Sequence, residues 1–366
     1  MKILDRYLIL SFSKSFIYTL ITFTSILILT EWLGMVKLFI ERKIPVSIVF
    51  EYLGLRIPSI LAIIAPCAIL LATLFTFNEF IYRGEITAMR IAGMSLIRLA
   101  LPILSIALGI SITSFFWTEF IANRFNARAS KVLREKIRGL VPEIRVDGVS
   151  LLGEGGRIYH FGVYDRELNQ IETVAITELG EGGLPICRID ARSAEWREGE
   201  WLLFDGVIRR FGETGEEGTP ERFEVRSGEI SERPDEIWKI LGLEKERSAE
   251  MTILELWDSI RLLKRSGVGF RDKMTDLHLK FSFPMTSLVI AFVGISLVFS
   301  FGRRERKITR MASFGIALLV SFLYWGTVSI GQFLGYAEVV PPFLAAWMAN
   351  ILFFSLGVGL WLKRVK

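Results

Sequence analysis

Six apolar stretches, each long enough to cross a lipid bilayer, constrain this chain more than any other feature of its sequence. A hydrocarbon core about 30 Å thick requires roughly 20 apolar residues in a helix that rises about 1.5 Å per residue. The predicted spans are 16–36, 57–77, 99–118, 281–302, 311–332 and 343–362. Only the first contains a charged residue, Glu31. The sequence therefore predicts an integral membrane bundle of six transmembrane helices.

Charged residues are concentrated in one part of the chain. The sequence is 51% hydrophobic, which is too apolar for a single water-soluble globule, yet 23% of its residues are charged. Most of these charges lie between the third and fourth spans. We therefore predict an N-terminal transmembrane half at 1–124, a soluble domain at 125–275 and a C-terminal transmembrane half at 276–366.

The soluble segment has the pattern of short β-strands separated by turns. Turns rich in glycine and glutamate occur at 153–156, 181–183 and 198–200. The predicted strands lie at 157–164, 171–179, 186–196, 201–211 and 222–230. Strands at this spacing are typical of a β-sandwich or a jelly roll.

Helices are predicted at both ends of this β domain. Thr252 and Glu255 form a capping box in front of an amphipathic stretch, and Gly267 is expected to end that helix. The third span is expected to continue out of the membrane as a helix over 119–139. Both ends of the domain are then joined to the bilayer through helices.

Basic residues in the short loops indicate the orientation of the spans. If the N-terminus is cytoplasmic, the inner segments carry Lys2, Arg6, Lys14, Arg83, Arg90, Arg98, Arg303, Arg304, Arg306, Lys307, Arg310, Lys363, Arg364 and Lys366. The short outer loops then carry Lys37, Arg42, Lys43 and Arg56. Basic residues beside the β domain cancel this bias when all are counted, but charges of long translocated domains affect topology weakly. We therefore predict that both termini are cytoplasmic and that the β domain is outside the cytoplasm.

The usual sequence signatures of an enzyme are missing. No G-x-x-x-x-G-K-[ST] phosphate loop and no G-x-S-x-G elbow occurs. His160 and His278 have no cysteine, histidine or carboxylate at metal-ligand spacing, and Cys67 and Cys187 are expected to be inert packing residues. We predict no catalytic residue, no cofactor and no metal site.

The segment between the second and third spans has the pattern of a short helix along the inner membrane face. Ile86, Met89 and Gly93 recur at helical spacing after Glu85. A purely structural interpretation is a surface helix held by basic residues. A functional interpretation is a coupling helix that docks on a cytosolic motor protein, with Glu85 at the helix N-terminus facing a basic residue of that partner.

This segment, together with the order of spans and inserted domain, resembles the LptF/LptG family of permease subunits from the lipopolysaccharide-export ABC transporter. The resemblance covers the whole chain, including the DRYL motif at 5–8 and the Ile44–Pro45 pair. It implies a jelly-roll β domain in the periplasm, with the spans in the bacterial inner membrane. The implied partners are lipopolysaccharide, a cytoplasmic ABC ATPase dimer, a second homologous permease, and a periplasmic jelly-roll bridge protein with its membrane-anchor subunit. The implied ATPase-coupling residues are Glu85, Met89, Ala92 and Gly93.

A second feature is the basic outer end of the first span, which carries Lys37, Arg42 and Lys43. Interfacial anchoring by snorkelling explains these residues about as well as a binding role does. The resemblance implies that they bind phosphates of the lipid A head group, which several cations at a low-dielectric interface would favour. Apolar walls for the acyl chains would come from the first and fifth spans, including Phe314, Phe322, Tyr324 and Trp325.

We therefore expect half of a heterodimeric or homodimeric channel that extracts lipopolysaccharide from the inner membrane and hydrolyses no ATP itself. One alternative is an ion-coupled secondary transporter, which would need ionisable residues near the bilayer midplane, where this sequence offers only Glu31 close to one end of a span. Another is a membrane-tethered scaffold with a binding domain, in which a coupling-type helix would have no purpose. Sequence does not separate an F-like from a G-like member, although the basic cluster favours the G-like one.

Overall fold

The computed structural model describes residues 3–139, 145–153, 157–180, 184–212, 216, 218–240, 248, 250–265, 269–301 and 310–365. The chain divides into two compact units, a membrane unit of Met1–Arg138 with Met274–Lys366, and a β unit of Gly139–Lys273. Several predicted features lie outside the described residues: parts of the turns at 153–156 and 181–183, the span end at Gly302, the helix end at Gly267, and the basic residues Lys2, Arg303–Lys307 and Lys366.

Long helices build the membrane unit. They are α1 (Ile3–Glu41), α2 (Val46–Tyr82), the short α3 (Glu85–Ile91), α4 (Leu96–Trp117), α5 (Asn123–Lys131), α8 (Arg271–Phe301), α9 (Arg310–Tyr336) and α10 (Pro342–Val365). Six helical segments of the described chain are long and apolar enough to cross a membrane, and each contains one predicted span within the residues described. The α-helical fold predicted for the membrane part is therefore confirmed.

The third span continues well beyond the length of a bilayer crossing. A π-helical turn at Thr118–Ala122 joins α4 to α5, and a second π-helical turn at Val132–Ile137 follows α5. The helical run ends two residues before the predicted end at Gly139. π-Helical turns insert one extra residue per turn and are frequent at functional positions. We call residues 118–137 the α4 extension.

Helix α2 is the central helix of the membrane unit. Its most apolar stretch is 78% buried, whereas that of α1 is only 11% buried. Fully buried side chains on α2 include Ile69, Leu70 and Phe77, and the ring of Phe77 meets that of Phe299 on α8 at 5.1 Å. Pro58 and Pro66 lie inside α2 without ending it, because neighbouring helices can satisfy the freed backbone groups in a membrane.

Buried polar side chains join the three C-terminal helices. The hydroxyl groups of Thr286 on α8 and Tyr324 on α9 are 2.8 Å apart, and the Tyr324 hydroxyl donates to Asn350 Oδ1 on α10 at 2.8 Å. The Asn350 amide in turn donates to the Ser282 carbonyl at 2.8 Å. Tyr324 is therefore a structural residue, 2% exposed, and not the wall of a lipid path that the sequence analysis expected.

The β unit contains one antiparallel sheet. Its strands are β1 (Arg145–Leu152), β2 (Arg157–Asp165), β3 (Gln170–Leu179), β4 (Pro185–Arg197), β5 (Glu200–Arg210) and β6 (Glu221–Ser227). Each described strand pairs with its neighbours in the chain, in the order β1-β2-β3-β4-β5-β6. The expected jelly-roll topology is therefore not confirmed. Short connections such as the two residues between β4 and β5 favour hairpins, and successive hairpins give a meander.

One face of the sheet packs against two helices, α6 (Pro234–Ile240) and α7 (Ile253–Arg265). Tyr159, Trp201 and Leu203 from the strands are fully buried, together with Ile237 of α6. The capping box at the start of α7 is confirmed: Thr252 N–H donates to the Glu255 carboxylate at 2.7 Å, and Glu255 N–H donates to Thr252 Oγ1 at 3.3 Å.

Candidate functional site

Helix α3 is a single isolated segment bounded by two glycines in left-handed backbone conformations. Gly84 caps its N-terminus with φ +75°, and Gly93 follows its C-terminus with φ +83°. Ile86 is 6% exposed and inserts into the core of the membrane unit. These features hold a seven-residue helix between α2 and α4 with one face inward and one face outward.

The four predicted coupling residues do not share one face of α3. Ala92 and Gly93 are exposed, whereas Met89 is half-buried and packs against the membrane core. Glu85 is also half-buried, with 27% of its side chain accessible. The most exposed apolar side chain of the segment is Ile91, at 84%. Ile91 was not among the predicted coupling residues, although its position about 140° around the helix from the buried Ile86 would have indicated it.

Glu85 already has partners within the chain. The Tyr7 hydroxyl of α1 donates to Glu85 Oε1 at 3.2 Å, and the Arg83 guanidinium lies 3.9 Å from the same oxygen. Close by, Arg98 at the start of α4 forms an ion pair with Asp5 of α1 at 2.7 Å. The α3 segment is therefore joined to the N-terminal end of α1 by contacts on both of its flanks.

A large apolar groove lies between α1 and α2 near the other end of α1. It has a volume of about 870 Å³, which is within the roughly 300–1,000 Å³ range of small-molecule sites. Its lining includes Leu29, Trp32, Ile40, Val46 and Phe50, all of them exposed. An apolar cleft of this kind accommodates an acyl chain, because burial of each methylene group contributes about 0.8 kcal/mol.

Only one of the three predicted phosphate-binding cations lines this groove. Lys43, with a left-handed backbone at φ 52°, is part of its lining. Lys37 is 85% accessible and lies 3.8 Å from Glu41 on the same helix. The guanidinium of Arg42 donates to the carbonyl oxygen of Arg138, at the end of the α4 extension. The structure therefore places the three side chains in three different environments.

A half-buried charge cluster joins α1, α2 and the α4 extension. Glu31 Oε1 accepts hydrogen bonds from the Tyr52 hydroxyl at 2.7 Å and from Arg56 Nε at 2.7 Å. Arg56 also donates to the side-chain oxygen of Asn126 at 2.5 Å. Arg56 was counted as a loop residue in the sequence analysis, but it lies inside α2 and neutralises Glu31, the only charge within the predicted spans.

The described residues contain no group of three His, Cys, Asp or Glu side chains that could hold a metal ion. His160 in the β unit lies 2.8 Å from the Ser150 hydroxyl on the neighbouring strand. This two-residue contact is exposed, and the residues that the structure describes give it no third group to orient the imidazole, so we treat it as a cross-strand pair.

Comparison with known proteins assigns the chain to a family. The sequence model described as lipopolysaccharide export system permease LptF/LptG matches residues 6–363, nearly the whole chain. No curated protein matches it. The match covers the membrane unit and the β unit, and it identifies a multi-pass, non-catalytic transmembrane subunit of an ABC exporter. The two alternatives, an ion-coupled transporter and a membrane-tethered scaffold, are therefore set aside, and the chain belongs to the LptF/LptG family of lipopolysaccharide export permeases.

Proposed function

We propose that this chain forms one half of a transmembrane channel with a second homologous permease, as a heterodimer or a homodimer. The channel extracts lipopolysaccharide from the inner membrane and passes it to the β unit, then to a periplasmic jelly-roll bridge protein and its membrane-anchor subunit. A cytoplasmic ABC ATPase dimer drives the cycle. In this arrangement both termini are cytoplasmic, the β unit is periplasmic, and the chain works as the three parts 1–124, 125–275 and 276–366.

The observation that carries this proposal is the exposed face of α3. Ile91 is 84% exposed at the C-terminal end of this glycine-bounded helix, so burial of its side chain against a partner would be favourable. We propose that Ile91, Ala92 and Gly93 enter a groove on the ATPase, with Glu85 and Met89 supporting the helix from its inner side. Glu85 also remains at the helix N-terminus, where its carboxylate is available to a basic residue of the ATPase.

Helix α1 supplies a mechanical link from α3 to the lipid. Tyr7 and Asp5 connect α1 to α3 and α4, and Trp32 of the same unbroken helix lines the groove. About 37 Å separates Tyr7 from Trp32 at the helical rise of 1.5 Å per residue. A displacement of α3 by the ATPase is therefore transmitted to one wall of the groove without any intervening loop.

The lipid path follows from the groove and its edge. Acyl chains lie against the apolar side chains between α1 and α2, and Lys43 meets a phosphate at the edge of the groove. Lys37 and Arg42 contribute a second layer of positive charge when the lipid displaces their present contacts with Glu41 and Arg138. Exposed Phe314 and Phe322 of α9 provide a further apolar surface for the lipid.

Detergent co-purification of the permease with its ATPase tests the coupling role. Ile91→Ser should weaken ATPase retention roughly 10- to 100-fold, because burial of one isoleucine contributes about 1.5–3 kcal/mol. Val339→Ser is a matched control, since Val339 is 69% exposed and lies in the turn between α9 and α10. Equal retention of the ATPase by both variants and the unaltered protein would contradict the proposal.

Glu85 needs a separate control because it has internal contacts. Glu85→Ala should reduce ATPase retention and transport, whereas Tyr7→Phe removes the internal hydrogen bond to Glu85 and should leave retention nearly unchanged. If both variants reduce retention equally, Glu85 acts only by holding α3 in place and its docking role is wrong.

A further inference from the structure

The β unit contains a cavity that the proposed lipid path does not use. It has a volume of about 530 Å³, a size typical of small-molecule sites. It lies where the β2–β3 and β4–β5 turns meet the start of α6. The residues that matter for its chemistry are Tyr164, Arg166, Asn169, Trp196, Arg233 and Asp235.

Aromatic rings form a rigid base for this cavity. The Tyr164 ring is fully buried, and its hydroxyl donates to the Pro234 carbonyl at 3.1 Å. Burial raises the pKa of Tyr164 to about 12, so the phenol remains a neutral donor. Trp196 packs edge-on against the fully buried Trp201, with ring centroids 5.5 Å apart. The rings are held before any ligand arrives, which lowers the cost of binding.

Two guanidinium groups, those of Arg166 and Arg233, reach the same cavity. Arg166 lies over the Trp238 ring, with Cζ 4.6 Å from the ring centroid, and this contact leaves its N–H edges available. Arg233 is exposed. Among the residues that the structure describes, neither guanidinium lies within 4 Å of a carboxylate, unlike Arg188, Arg192, Arg197, Arg209, Arg210 and Arg226 of the same sheet. Two arginines that line one cavity and have no carboxylate partner in the described part of the chain favour a carboxylate or phosphate ligand.

Hydrogen-bond acceptors stand beside these cations. Asn169 and Asp235 also line the cavity, and both of their side chains carry oxygen acceptors. A simple inorganic anion would gain nothing from Asp235 and would be repelled by it. A ligand that carries hydroxyl groups as well as an anion uses both kinds of group, because hydroxyls donate to the amide oxygen and the carboxylate. Its apolar C–H face would rest on the aromatic rings.

We propose that this cavity binds an acidic sugar, a ring with several hydroxyl groups and one carboxylate or phosphate. The anion lies between Arg166 and Arg233, the hydroxyls face Asn169 and Asp235, and the ring rests on Trp196. The inference deepens the proposed function, since lipopolysaccharide carries anionic sugars. The identity of the larger molecule that carries this sugar rests on the proposed function, whereas the chemistry of the cavity does not.

Ligand-observed NMR titration tests the cavity directly. The full-length protein is placed in phosphatidylcholine nanodiscs, which carry no sugar, and titrated with glucuronate or with glucose as the neutral control. Glucuronate should bind saturably and at least about tenfold more tightly than glucose, because one charge-assisted contact contributes about 1.5–3 kcal/mol. Saturable binding of both sugars with equal affinity, or of neither, would overturn the proposal.

A pair of matched variants locates the binding. Arg233→Gln should weaken glucuronate binding about tenfold or more, while the backbone N–H of residue 233 keeps its bond to Glu236. Arg192→Gln, at an 80% accessible arginine paired with Asp205, should leave binding unchanged. Equal affinity in the two variants would overturn the site. Such a failure is distinguishable from failure of the export function, because ATPase retention is measured on the same preparation without any sugar.

Discussion

The charge cluster of Glu31, Tyr52, Arg56 and Asn126 makes the sharpest prediction about stability. It joins α1 and α2, the two walls of the groove, to the α4 extension that leads into the β unit. Glu31→Gln keeps the shape of the side chain and removes its charge. The substitution leaves the Arg56 guanidinium in a half-buried position without its carboxylate.

The expected loss of stability in Glu31→Gln follows from how far the two charged side chains are exposed. Loss of one partner from a fully buried ion pair costs about 3–5 kcal/mol. Here the accessible fractions are 17% for the Glu31 side chain and 28% for Arg56, so partial hydration of the remaining charge lowers the cost to about 2–3 kcal/mol. The matched control is Glu51→Gln. Glu51 pairs with Lys136 of the same extension at 2.9 Å, but both side chains are almost half accessible, so its loss should cost about 0–1 kcal/mol.

Unfolding in mixed micelles with increasing sodium dodecyl sulfate measures these free energies. The double variant Glu31→Gln with Arg56→Gln should lose less than the sum of the single variants, with a coupling energy of about 1–2 kcal/mol. Amide hydrogen exchange in α5 should accelerate in Glu31→Gln, since Arg56 holds Asn126. Equal destabilisation by Glu31→Gln and Glu51→Gln, or strict additivity in the double variant, would refute the reasoning.

Three further predictions test other parts of the membrane unit. Gly93→Ala should lower ATPase retention through backbone strain of about 1–2 kcal/mol, whereas Gly109→Ala in α4, with equal open space around its Cβ position and no positive φ, should be neutral in the same co-purification. Tyr324→Phe should lower the free energy of unfolding by about 1–2 kcal/mol in mixed micelles, because Asn350 and Thr286 lose their shared partner. Lys43→Gln should weaken lipopolysaccharide cross-linking more than the same change at Lys37; unchanged cross-linking in both variants would return both lysines to an anchoring role.

The spans could be predicted from sequence because hydropathy and length are one-dimensional properties. The positions of the ionisable side chains in the fold could not be predicted in this way. Arg56 immediately precedes the predicted span 57–77 and was assigned to a loop, yet it lies within a longer helix and pairs with Glu31, 25 residues away. Helix α2 starts at Val46, well before the apolar run, since a helix can extend past the hydrocarbon core when its polar side chains find partners.

The structure was also needed to determine which side of a short helix or strand faces the core. Helical spacing grouped Ile86, Met89 and Gly93, but the direction in which α3 packs decides that Met89 faces inward and Ile91 outward. Strand β1 was missed because Asp147 and Gly148 interrupt its apolar pattern, and Gly148 has a φ of +66°. The strand spacing was compatible with a sandwich or a jelly roll, and the family resemblance implied the jelly roll, but the described strand order does not support it.

Photo-cross-linking of lipopolysaccharide to the groove tests the central claim most directly. A photoreactive amino acid replaces Trp32, which lines the groove and is 38% exposed, or Leu352 on α10, which is 54% exposed and outside the groove. The permease is assembled with its ATPase in nanodiscs that contain lipopolysaccharide. We predict an adduct at position 32 that decreases when ATP is hydrolysed, and little adduct at position 352. Equal adducts at both positions, unchanged by ATP, would contradict the claim that this groove carries the exported lipid.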